Sequence, residues 1–163
     1  MERSNQFLAD RLQEVLLDGS WIAHTNFKAQ IQTLDWRLAI QKVGDLNTIS
    51  ALIFHINYYL EGLLHAFQTG ELTIRDQYSY DVLPIQAFSD WEALVNRFLH
   101  NAEKFIEMVR EMEEDQLSGP FIAPQYGSCY RNILGIVEHS YYHLGQISLL
   151  RKMLDHQQAS NLS

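Results

Sequence analysis

Glu138-His139-Ser140-Tyr141-Tyr142-His143-Leu144-Gly145-Gln146 places two imidazoles four residues apart inside a helical pattern running from about Ser128 to Leu154. Residues i and i+4 of a helix share one face, about one turn apart. His139 and His143 can therefore turn ring nitrogens toward a single point. Ile136 and Ile147 extend that face in both directions, so the point lies toward the protein interior. A metal site built on this pair needs a third ligand from elsewhere. The stretch Leu52-Ile53-Phe54-His55-Ile56, in a second helical pattern, supplies a candidate in His55.

Working outward, Asn47 or Thr48 opens that second helix, which runs to about Phe67 and closes at Thr69-Gly70. Its inward stripe contains Leu52, His55 or Ile56, Tyr59, Leu63, and Ala66 or Phe67. Upstream, Phe7 to Leu17 has helical spacing with Ser4 as N-cap and Asp18-Gly19 as terminator. Between Ser20 and Gly44, Trp21, Phe27, Ile31, Leu34, Trp36, Leu38 and Ile40 anchor one or two short helices. Glu71 to Phe88 has no steady period, and a link of that length is a functional segment or a crossover. Ser89-Asp90-Trp91-Glu92 fits a capping box, and the third long helix follows to about Asp115. Leu117 to Gly127 is a loop marked by Gly119-Pro120 and Pro124. Arg151 and Lys152 suit the negative pole at the end of the last helix. Four long helical patterns without strands predict an all-α four-helix bundle. We expect one domain over residues 1–156 and a polar, frayed tail from Gln157 to Ser163.

The composition excludes several function classes. The chain has 163 residues, a formal charge of −8 and 47% apolar residues, ordinary for one compact folded domain. An acidic surface without a Lys/Arg cluster repels phosphate backbones, which argues against nucleic acid. Cys129 is the only cysteine, so neither an intrachain disulfide nor a thiolate cluster is available. The start, Met1-Glu2-Arg3-Ser4-Asn5-Gln6, has no apolar signal core, and no apolar run is long enough to span a bilayer. These features predict a cytoplasmic protein without a membrane partner.

Three imidazoles from two helices leave a coordination position open, as catalytic rather than structural sites do. Two familiar alternatives fail. Helical zinc proteases place a general-base Glu directly after the first His, where this chain has Ser140. Di-iron bundles require Glu-x-x-His pairs, which are absent. One metal is the sensible number. His24 lies in the irregular N-terminal segment and is held open as a pocket residue, while His65, His100 and His156 have no partner at ligand spacing. Cys129 begins the last helix, where the dipole lowers a thiol pKa, yet without a base motif it is a small packing residue. Tyr59 follows His55 by four residues and Gln146 follows His143 by three, so both are candidates for supporting or substrate contacts. Trp36, Tyr78 and Tyr80 are candidates to wall the site. Metal affinity is expected to fall as pH drops toward the ordinary histidine pKa of about 6.5.

Thr48-Ile49-Ser50-Ala51-Leu52-Ile53-Phe54-His55, together with His139 to Gln146, resembles the DinB-like (YfiT-like) superfamily of metalloenzymes. The resemblance covers nearly the whole chain in order and spacing. It implies an up-down-down-up bundle with Glu71 to Phe88 as the crossover. It also implies one divalent ion, nickel or zinc, on His55, His139 and His143, and a homodimer. Relatives of this kind include transferases and isomerases that use low-molecular-weight thiols as cosubstrates. Two functions follow as expectations. One is a mononuclear enzyme, hydrolase or thiol S-transferase, acting on a small molecule. The other is a non-catalytic helical dimer whose histidines are structural or vestigial.

Overall fold

A computed structural model of the chain describes residues 3–161. Met1 and Glu2, and Leu162 and Ser163 of the expected tail, lie outside the described residues. These contain seven α-helices and no strand: α1 (Ser4–Gln13), α2 (Phe27–Ile31), α3 (Trp36–Ala39), α4 (Ile49–Thr69), α5 (Phe88–Glu111), α6 (Glu114–Ser118) and α7 (Cys129–Asn161). A π-helical turn, Glu14–Asp18, continues α1 to Gly19. The three longest helices, α4, α5 and α7, have 21, 24 and 33 residues. Helix α1 packs against α5 and α7, and α4 packs against the same two. No helix among the described residues is long and apolar enough to cross a membrane.

The helix that carries His55 is bounded as its sequence demands. Thr48 Oγ1 accepts the Ala51 N–H at 3.1 Å, satisfying an orphan donor of the first turn. Gly70 closes the helix at φ 76°, a left-handed conformation that favours glycine, and its N–H reaches the Ala66 carbonyl. The stripe expected for this helix was too narrow. Ile53, His55, Ile56, Asn57 and Leu60 are all buried, because α4 lies against α5 on one side and α7 on the other. Asn57 is satisfied there by the Asn101 Nδ2 amide of α5 at 2.9 Å. A Cβ on Gly62 would fall 2.4 Å from Ile74 Cγ1, so this glycine lets the segment after α4 fold back onto the helix.

Several local expectations need correction. Ser4 is the first helical residue, and its N–H is satisfied by Glu114 of α6 rather than by a cap of its own. Ser89 does not cap α5. The helix begins at Phe88, two residues before the start that a Ser89 cap would give, and the Asp90 carboxylate accepts the N–H groups of Gln86 and Ala87 at 2.9 and 3.0 Å. That register buries Trp91, which is 2% exposed. Helix α5 ends at Glu111 rather than near Asp115, and α6 follows as a separate short helix. Trp21 anchors nothing, being 83% exposed. Helix α7 passes Leu154 and continues through Asn161, so Arg151 is not near its end. Its guanidinium instead donates to the Gln30 carbonyl at 2.7 Å, satisfying the last turn of α2.

The last helix opens at Ser128, whose hydroxyl accepts the Arg131 N–H at 3.1 Å. Ile136 and Ile147 are buried, as the flanking pattern requires. Between them Ser140 is fully buried, and its hydroxyl has no hydrogen-bond partner. An unmatched buried hydroxyl costs about 1–3 kcal/mol. Ser140→Ala is therefore expected to raise stability by about 1 kcal/mol, read as a higher denaturant midpoint with an unchanged slope.

Candidate metal centre

Helix α4 presents His55 and helix α7 presents His139 and His143, so the packing of these two helices brings the rings together. One ring nitrogen from each lies within 4.8 Å of the others. His139 Nε2 stands 3.2 Å from His55 Nε2 and 2.8 Å from His143 Nε2. His55 and His143 are buried, and His139 is half-buried. Among the described residues this is the only group of three or more His, Cys, Asp and Glu with ligand atoms so disposed.

The outer nitrogens decide what the inner ones offer. His55 Nδ1–H donates to the Ser79 carbonyl at 3.2 Å, and His143 Nδ1–H donates to Gln146 Oε1 at 2.7 Å. A carbonyl oxygen only accepts, so in each neutral ring the proton is on Nδ1 and the lone pair on Nε2. Both lone pairs face His139 Nε2. A neutral His139 has at most one proton there and can match only one of them. One inner lone pair is left without a donor, and a cation at the meeting point would satisfy all three nitrogens. Outer-nitrogen bonds of this kind are what orient imidazole ligands in metal sites.

The rings are also held by aromatic neighbours. Tyr80 stacks on His55 with centroids 4.1 Å apart and planes 13° from parallel. Tyr59 meets His55 and His139 edge-on at 5.0 and 5.3 Å. Tyr142 meets His143 edge-on at 4.9 Å. Tyr59 Oη donates to Asp76 Oδ1 at 2.9 Å, and burial together with that bond pushes its phenol up to about 12. The phenol therefore remains a proton donor at neutral pH.

The expected site residues meet different fates. The rings of His55, His139 and His143 converge, Tyr59 meets two of them edge-on, and Gln146 bonds the third. Tyr80 walls the site, while Tyr78 is 45% exposed without a ring contact to it, and Trp36 packs on the core with Arg37 over its face. His24 is exposed in a left-handed turn and is not part of the cluster. Burial pushes the Cys129 thiol up rather than down, and the side chain packs in the core. Sequence reasoning missed the Ser79 carbonyl, Asp76 and Tyr142. A backbone acceptor has no residue signature, but the aromatic run Tyr141-Tyr142 beside His143 was a usable sign.

Burial, followed by the two neighbouring rings, lowers His55 to about 4, and burial followed by His143 lowers His139 to about 4. Burial lowers His143 as well, against the bond to Gln146. Protons therefore compete for the inner nitrogens of His55 and His139 near pH 4, below the ordinary histidine range expected from sequence. Stability of the metal-free chain follows the same window. Between about pH 6.5 and about pH 4 the unfolded chain takes up protons that the folded chain refuses. Stability is thus fully present above that window, falls as pH drops through it, and levels off below. Urea midpoints measured at half-unit intervals from pH 7 to pH 4 are expected to trace that decline.

A family model described as the DinB superfamily matches residues 28–147, which include all three histidines and Gln146. The chain belongs to the DinB superfamily. No curated protein and no solved structure matches it. The matched stretch includes Gln146, the residue that orients His143. Gln146→Leu removes the acceptor and frees the His143 ring to turn. It is expected to weaken metal binding by about 10–100-fold, measured by competition with a chromophoric chelator, without loss of helix content.

Proposed function

We propose that this DinB-superfamily chain is a mononuclear metal-dependent enzyme acting on a small molecule, either as a hydrolase or as a low-molecular-weight thiol S-transferase. The observation that carries this reading is the donor set: three inward imidazole nitrogens, two with tautomers fixed by outer hydrogen bonds. Neutral imidazoles suit zinc or nickel, and His55, His139 and His143 would hold one such ion. Three protein ligands leave a position for water or a thiol, whose pKa the bound ion would lower.

The chain's own residues account for the rest. Ser79 and Gln146 orient two of the ligating rings. Tyr80, Tyr59 and Tyr142 pack against the rings and set their planes. Tyr59 gives its one phenolic proton to Asp76, which holds its ring edge-on against His55 and His139. We further read α1, α4, α5 and α7 as the four members of an up-down-down-up bundle, with residues 71–87 as the crossover between α4 and α5. The packing of α1 and α4 against both α5 and α7 supports this. The crossover delivers Ser79, Tyr80 and Asp76 to the site, which gives its length a use. The homodimer implied by the family likeness belongs to the same reading, and sedimentation velocity measures it.

The test is a screen of the zinc- and nickel-loaded protein. Activated esters and amides are offered alone, and alkyl halides, epoxides and maleimides are offered with glutathione, bacillithiol or mycothiol. Turnover that the metal-free protein and His139→Ala both lack supports an enzyme. Metal binding without turnover of either class favours the non-catalytic alternative.

A further inference from the structure

Beside Gln146, the residue bonded to His143, a cavity of about 380 Å³ opens between the segment before α4 and the second half of α7. Its walls are Leu46, Leu52, Leu149 and Leu150, with Asp45, Asn47 and Gln146 as its polar members. Leu52 and Leu150 form a buried floor, while Leu46 and Leu149 are 51% and 57% exposed and stand as rims.

One hydrogen bond joins this cavity to the histidine cluster: Gln146, one of its walls, accepts the outer N–H of His143. Asn47, another wall, lies near the phenol of Tyr80, the ring stacked on His55. One side of the cavity is thus formed by the residue that orients His143 and the other by a residue next to the stacking partner of His55. Leu52 lies one helical turn before His55 on α4, which continues the apolar floor toward the imidazoles. The exposed leucine rims have no packing role that explains them.

We propose that this cavity binds the apolar portion of the substrate, an alkyl or aryl group whose polar, reacting end reaches the three histidines. The proposal rests on the metal-site reading above and adds the substrate class. Substrates are then amphipathic small molecules with one metal-directed group and one apolar arm. Specificity for the arm is set by Leu46 and Leu149, and the floor by Leu52 and Leu150.

A chain-length series tests it. Tag-free protein loaded with cobalt(II) is titrated with ethanethiol, butanethiol and hexanethiol, following the sulfur-to-cobalt charge-transfer absorption. Affinity should rise by about four-fold for each methylene buried, until the cavity is full. Leu149→Trp changes an exposed rim, fills the cavity, and should flatten the series, with the largest loss for hexanethiol. A flat series in the unaltered protein, or a slope that Leu149→Trp does not reduce, would overturn the proposal. Failure to bind cobalt, or to give the absorption with ethanethiol, would instead sink the metal-site reading. In that event 1-hexanol is added to the metal-free, ¹⁵N-labelled protein. Amide shifts gathered at Leu46, Leu52, Leu149 and Leu150 would uphold the cavity, and their absence would overturn it.

Discussion

Alanine in place of His143 is expected to lower the affinity for zinc or nickel by on the order of 10²–10³-fold. The magnitude follows from sharing the roughly 10–16 kcal/mol of a four-ligand zinc site among its ligands, about 3 kcal/mol or slightly more for each. His55→Ala and His139→Ala are expected to match it, because the inner nitrogens of all three meet at one point. The three substitutions should not be additive, since residues sharing one centre act as a unit. A double variant should bind little worse than a single one that has already lost the ion. Competition with a chelator of known affinity reads these numbers directly. Equal and large losses at both α7 positions, with no loss at His55, would mean that the sites on α4 and α7 do not share an ion.

The second large effect is on stability. The imidazoles lie between α4 and α7, so an ion there would tie two long helices that otherwise touch only through side chains. A ligand bound only by the folded state, present at about a thousand times its dissociation constant, adds about 4 kcal/mol. For a chain of this size that is roughly 8–16 °C in Tm. The rise should appear with zinc or nickel, vanish with a chelator, and be absent from all three alanine variants. It should also survive below pH 6, because burial holds His55 and His139 neutral down to about 4. A rise lost already near pH 6.5 would point away from the buried cluster.

How much of this was legible in sequence depended on whether burial repeats with a period. His139 and His143 were legible because Ile136 and Ile147 mark the inward face of α7 on both sides. His55 was ambiguous with Ile56 because a helix has one clear stripe only when one side faces water. Helix α4 is packed on two sides, and both residues are buried. The true start of α5 was hidden by two competing patterns two residues apart. Ser89 with Glu92 has the better cap spelling, but Asp90 takes the N3 role and accepts the N–H groups of Gln86 and Ala87, so the helix starts at Phe88. The end of α7 was invisible for the opposite reason. Residues 157–160 are exposed, so no period marks this stretch, and local helix propensity alone extends the helix.

The supporting contacts of the site show a second limit. Gln146 and Tyr59 were found because they lie on the same helices as the ligands, at spacings that helical geometry fixes. Ser79, Tyr80 and Asp76 arrive from the irregular segment between α4 and α5, where no periodicity predicts position. Their placement depends on tertiary details, such as Gly62 admitting Ile74 and Tyr58 Oη donating to the Arg75 carbonyl at 3.1 Å. The drop in histidine pKa was also beyond the sequence, since it arises from burial of rings that only the fold brings together.

X-ray absorption on tag-free protein reconstituted with zinc measures the meeting of the three imidazoles most directly. One zinc per chain with three nitrogen ligands at about 2.0–2.1 Å, their multiple scattering identifying imidazole, is the predicted result. Zinc that washes away, or a bound ion with no more than one imidazole, would contradict it.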